Sequence, residues 1–181
     1  MRRTASRCSS WPTERVPDAW LKGPVEGVPA ALQPVAHALL NLEIEVRRVL
    51  SDATDDELWL RPAGAAAVGF HIRHLCGSAD RLLTFARGET LSEAQLAVLE
   101  SEKDATTRPG RVELETLLTD TLERAFAQIR STNPESLDEP RGVGRQQLPS
   151  TVRGLLFHAA EHGARHAGQA VTTMKIVRSS R

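Results

Sequence analysis

Little in this chain is extreme, and several absences narrow its class. Only two cysteines, Cys8 and Cys76, occur in 181 residues, far apart in the chain. That excludes a disulfide framework and a zinc-finger spacing, and it fits a reducing cytoplasm. The formal net charge is zero, so no basic surface for nucleic acid and no acidic tail is expected. No apolar run approaches membrane-spanning length, and Arg2-Arg3 is followed by no apolar segment of an export signal. No internal repeat and no convincing β alternation is present.

What remains is helical periodicity. Residues 1–23 lack it and read as a flexible N-terminal arm, with Trp11 and Trp20 as its candidate docking points; residues 24–181 form the domain. A first helix is predicted from about Pro29 to Ser51, with Leu32, Val35, Leu39, Leu42, Val46 and Leu50 as its stripe. His37 opposes that stripe and is expected in solvent. Trp59 and Leu60 in the following connection are expected to tuck under the domain. A second helix runs from about Ala66 to Arg87, ended by Gly88. Residues 89–110 form a long connection, with a short helix over Leu91–Asp104. A third helix covers Arg111–Ser131, residues 134–149 read as a polar loop, and a last helix covers Ser150–Val177 with Ser150 as its cap. Four single-faced helices are best satisfied by an all-α four-helix bundle.

The last helix carries the chemistry. His158, His162 and His166 recur every four residues, which stacks them on one face. Two imidazoles at that spacing can grip one metal ion. A helical wheel puts His166 at the edge of the apolar face, His162 slightly further out and His158 on the polar side. His162 and His166 are therefore the better ligand candidates. The second helix offers His71 and His74, and the wheel prefers His71 as the inward one. One histidine from the second helix and two from the fourth would leave a coordination position open, as catalytic sites do. Glu161 and Arg165 read as a solvated i, i+4 ion pair, and Cys76 as a buried structural thiol.

Gly69-Phe70-His71-Ile72-Arg73-His74-Leu75, with Asp80 following, and the run from His158 to Gln169 together resemble the DinB-like (DinB/YfiT) superfamily. The second run looks like that family's closing H-x3-H-x-G-Q helix. The resemblance covers about residues 28–178. It implies an up-down-down-up bundle with a long connection between helices two and three, often dimeric, holding a metal on three histidines. Leu75 and Asp80 align the family's second-helix ligand with His74, and its fourth-helix ligands with His162 and His166. His74 is therefore adopted, with His71 as the substitute. Ala167 departs from the family, where many members carry Arg. The resemblance further implies a divalent metal, Zn or Ni, a low-molecular-weight thiol, a small-molecule substrate and a homodimer. The resulting functional reading is a metal-dependent thiol S-transferase acting on small electrophiles. The alternatives are a non-catalytic metal-binding stress-response module or a metal-dependent hydrolase.

Overall fold

The computed structural model describes residues 18–102, 104 and 106–180. Trp11, Cys8 and the Arg2-Arg3 pair lie outside them. Four long helices dominate, joined by short elements. A 3-10 turn at Ala19–Lys22 lies against α1 (Gln33–Leu50), with the Ala19 amide donating to Asn41 Oδ1 at 2.8 Å. Ala19 is buried there, whereas Trp20 stays 60% exposed and does not dock.

The expected connection after α1 contains an unexpected helix, α2 (Asp55–Trp59). Thr54 and Glu57 close a capping box around its start, which a five-residue helix needs because its end groups are most of its backbone. Leu58 is fully buried and Trp59 half-buried, with Trp59 Nε1 donating to Pro109 O at 3.1 Å. Leu60 is 44% exposed, contrary to expectation; it points away because helical phase puts Leu58, not Leu60, inward.

The second long helix is α3 (Val68–Ala86). It ends in a Schellman motif: Gly88, at φ 79°, lets its own amide reach Phe85 O and the Glu89 amide reach Thr84 O. The long connection contains α4 (Glu93–Ser101), started by a Ser92–Gln95 capping box. Gln95 Nε2 also donates to Asp80 Oδ2 at 2.6 Å, tying α4 to α3. The third long helix, α5 (Arg111–Ser131), is capped in part by Asp55 from α2, which accepts from the Arg111 amide at 2.7 Å.

Residues expected as a loop form a hairpin instead, β1 (Pro140–Val143) with β2 (Leu148–Thr151), antiparallel with Arg141 opposite Ser150. Four-residue strands containing Gly142 and Pro149 carry no readable alternation, which is why periodicity missed them. The hairpin leads into α6 (Val152–Ser179). Its cap is Thr151 rather than Ser150: Thr151 Oγ1 accepts from the Gly154 amide at 3.0 Å, while Ser150 is engaged in the strand pair. The Val152 and Arg153 amides donate to Glu139 O and Leu137 O, so the hairpin's base satisfies the next free donors of α6.

Packing follows the predicted stripes. α6 lies against both α1 and α3, and α5 against α3 and α1. Leu39, Leu42 and Val46 of α1, Ile72 and Leu75 of α3, Leu114, Leu118 and Ile129 of α5, and Leu156 and Met174 of α6 share one core. The buried side of α6 also carries Ala160, Gly163, Ala167 and Ala170. A Cβ on Gly163 would meet Leu42 Cδ2 at 3.0 Å, so the two backbones approach more closely than larger residues allow. This close approach seats α6 against α1, and the histidines of α6 reach α3 on its other flank.

Candidate metal centre

The first turns of α3 face the middle of α6. His74 Nε2 lies 3.1 Å from His162 Nε2, and the His74 and His162 rings are each 4.6 Å from the His166 ring, centre to centre. One nitrogen from each of His74, His162 and His166 falls within 4.8 Å of the others. All three side chains are half-buried, so the cluster opens toward solvent.

His71 is the more deeply buried of the α3 pair, as the wheel suggested, yet it is not part of that cluster. Its Nδ1 meets His166 Nδ1 at 3.0 Å. His71 thus occupies the far nitrogen of His166. Burial and the neighbouring His74 lower the pKa of His71. Burial also lowers that of His162, with His74 the next cause, and takes that of His166 down to about 4, again with His74 next. These rings therefore favour the neutral form that coordination requires.

His74 is gripped from behind by a residue that sequence reasoning missed. Glu102, at the end of α4, is 7% exposed and its Oε2 lies 2.8 Å from His74 Nδ1. Arg81 donates to Glu102 Oε1 at 2.6 Å and to Oε2 at 3.3 Å. Burial pushes the Glu102 carboxyl up. The hydrogen bonds from His74 and Arg81, with the Arg81 charge, outweigh this and hold it below the ordinary carboxylate range. An ionised Glu102 keeps the His74 proton on Nδ1 and leaves Nε2 as the free lone pair. The one sequence signal for this was Gly77 inside α3: a Cβ there would sit 2.1 Å from Glu102 Oε1. Phe70 closes another side, stacked on the His74 ring at 5.5 Å and 6°.

A family model described as the DinB superfamily matches residues 39–170, a span that includes all three histidines. The chain belongs to the DinB superfamily. No curated protein matches it. In this DinB chain Asp80, one of the residues that carried the resemblance, serves as the acceptor that holds α4 and hence Glu102 in place. Arg73, from the same motif, donates to Thr107 O and Ser101 O, fixing both ends of the segment around Glu102.

The remaining candidates stay outside the three-histidine cluster, although the His158 ring comes within 5.4 Å of the His162 ring, centre to centre. His158 is exposed and pairs with Glu161 at 3.4 Å. Glu161 and Arg165 form the expected exposed ion pair, and the Arg165 bond lowers the Glu161 pKa. His37 is half-buried rather than in open solvent, because the segment before α1 folds over it and Gly23 O meets its Nε2 at 3.0 Å. Cys76 is buried beside Thr121, and burial pushes its thiol up to about 12, which removes it as a nucleophile.

Proposed function

We propose that this DinB-superfamily protein is a metal-dependent enzyme of the thiol S-transferase type, with His74, His162 and His166 holding one divalent ion, Zn or Ni. The observation that carries this reading is the convergence of three imidazole nitrogens, with the second nitrogen of His74 already engaged by Glu102 and that of His166 by His71. The donor set fits the ion. Tetrahedral zinc with Zn–N near 2.05 Å sets ligand nitrogens about 3.3 Å apart, and His74 and His162 stand at 3.1 Å.

When bound, the ion supplies positive charge that makes a thiol or water in an open position more acidic. The chain's own residues do the rest. Glu102 orients His74 and fixes its tautomer, and Arg81 holds Glu102 ionised. His71 takes Nδ1 of His166, so Nε2 is the nitrogen left to coordinate. Phe70 lies parallel to the His74 ring and supports its orientation. The half-exposed position of all three histidines favours catalysis over a closed structural staple, the reading of a non-catalytic module.

The same reading takes the long helices in up-down-down-up order. Asp52 beside Arg178 and Gly163 beside Leu42 support parallel α1 and α6. His71–His166 with His74–His162 support antiparallel α3 and α6, and Thr121 at Cys76 with Gln128 at Leu83 support parallel α3 and α5. It also takes the protein as a cytoplasmic homodimer acting on small molecules rather than nucleic acid. Among the described residues no helix is long and apolar enough to cross a membrane.

The test is elemental analysis of purified protein, followed by a screen of low-molecular-weight thiols against small electrophiles. One Zn or Ni per chain is expected, lost in His74→Ala, His162→Ala and His166→Ala and retained in His158→Ala and His37→Ala. Unchanged metal content in the first three variants would make the histidines structural and remove the basis of the enzyme reading.

A further inference from the structure

The short helix α4 differs from the four long helices in what holds it. None of its nine residues is buried, and none joins the shared core. Leu96 and Val98 stand 42% and 50% exposed, so its apolar side chains anchor it weakly. A helix this short is marginal by itself, and apolar burial is what ordinarily secures one in a fold.

Polar ties fasten α4 to α3 instead. Near its start, Gln95 Nε2 donates to Asp80 Oδ2 at 2.6 Å and to Thr84 Oγ1 at 2.8 Å. At its end, Arg73 donates to Ser101 O at 2.9 Å and to Ser101 Oγ at 3.1 Å. The next residue is Glu102, which accepts from Arg81 and meets His74 Nδ1. Water replaces such partners at little net cost. A segment with few buried apolar contacts opens at a lower free energy than the whole fold.

Glu102 makes that opening matter to the histidines. It lines a cavity of about 320 Å³ together with Trp59, Ala67 and Phe70, and both Glu102 and Phe70 touch His74. Swinging α4 away removes a wall of this cavity and the Nδ1 partner of His74 together. We propose that α4 is a latch that opens from α3 as a unit while the four long helices stay folded, and that occupation of His74 Nε2 by a metal ion closes it through Glu102. The opening rests on α4 alone; its closure by an ion rests on the metal site proposed above. An imidazole coordinated through Nε2 donates more strongly from Nδ1, so Glu102 is held more tightly. The coupling is reciprocal: if opening weakens the site 10- to 100-fold, about the effect of losing an outer-shell partner, a bound ion suppresses opening by the same factor.

The test is hydrogen–deuterium exchange of the full chain, without metal and with zinc. Without metal, the hydrogen-bonded amides of α4 should exchange at a common rate, at least 100-fold faster than the core amides of α1, α5 and α6. Zinc should slow the α4 amides 10- to 100-fold, and the effect should level off at saturation because the opened form still holds zinc on three histidines. Amides that exchange only on global unfolding should keep slowing as zinc rises. Gln95→Ala should speed exchange across α4 at unchanged rates in the long helices, and Glu102→Gln should lose most of the zinc effect on α4. Exchange of α4 at the rate of the long helices, a zinc effect on α4 that never levels off, or saturable zinc binding that leaves α4 unchanged would each overturn the proposal. A chain that holds no zinc yet exchanges α4 far ahead of the long helices would keep the opening and refute the metal-dependent function.

Discussion

Glu102→Gln separates the orienting role of a carboxylate from its shape. Glutamine keeps the size and one acceptor oxygen but places an amide NH2 against either Arg81 or His74, both of which now point donors at Glu102. Glu102 is 7% exposed and the Arg81 side chain 11%, so Arg81 would be left as a largely buried, weakly partnered charge. Breaking a buried pair from one side costs about 3–5 kcal/mol; with one acceptor retained, a loss of about 2–3 kcal/mol is expected. Metal affinity should fall 10- to 100-fold, the usual effect of losing an outer-shell partner, or about 1.4–2.7 kcal/mol. Urea denaturation of the metal-free protein reads the first quantity, and zinc competition against a chromophoric chelator reads the second. Gly77→Ala should reach the same result by steric means, because its Cβ would fall 2.1 Å from Glu102 Oε1 and 2.9 Å from Arg81 Nη1. The double variant should lose less than the sum of the two. A folded Glu102→Gln protein with wild-type zinc affinity would refute the idea that Glu102 prepares His74.

His71→Ala should retain one metal per chain but bind it about tenfold more weakly, since it removes only the partner of His166 Nδ1; complete loss by elemental analysis would make His71 a ligand after all. In the metal-free protein, the depressed pKa values of His71, His162 and His166 mean that the unfolded chain binds more protons than the folded one. Stability should therefore be level above pH 6.5 and fall as pH drops from 6.5 toward about 4, the His166 value; denaturation midpoints that rise over that range would contradict the sign. Gly163→Ala brings a methyl to 3.0 Å from Leu42 Cδ2 and should destabilise the fold by about 1–2 kcal/mol through overpacking, read by thermal or urea unfolding; a gain in stability would show that α1 and α6 are not tightly apposed there.

Local pattern determined much of this protein. The 3.6-residue stripes mark all four long helices because each buries one side, and the α5 stripe reproduces Arg111–Ser131 to the residue. Spacing alone also puts His162 and His166 one turn apart on α6, a consequence of helical pitch that needs no partner. The hairpin and α2 escaped because neither is long enough to display a period. The choice between His71 and His74 belongs to tertiary structure. Both lie near His166, with ring centres 5.3 Å and 4.6 Å away. Only the relative placement of α3 and α6 brings His74 Nε2 to His162 and sends His71 to the far side of His166. A wheel ranks residues by burial, and His71 is indeed the more buried; ligation instead requires lone pairs that converge, a property of two helices together. Glu102 is the clearest case. It stands 28 residues from His74, at the end of the short connecting helix, whose sequence does not show which side chain it returns to α3. Its role exists only because Asp80 and Arg73 fasten that connection against α3 and Gly77 leaves room for its carboxylate.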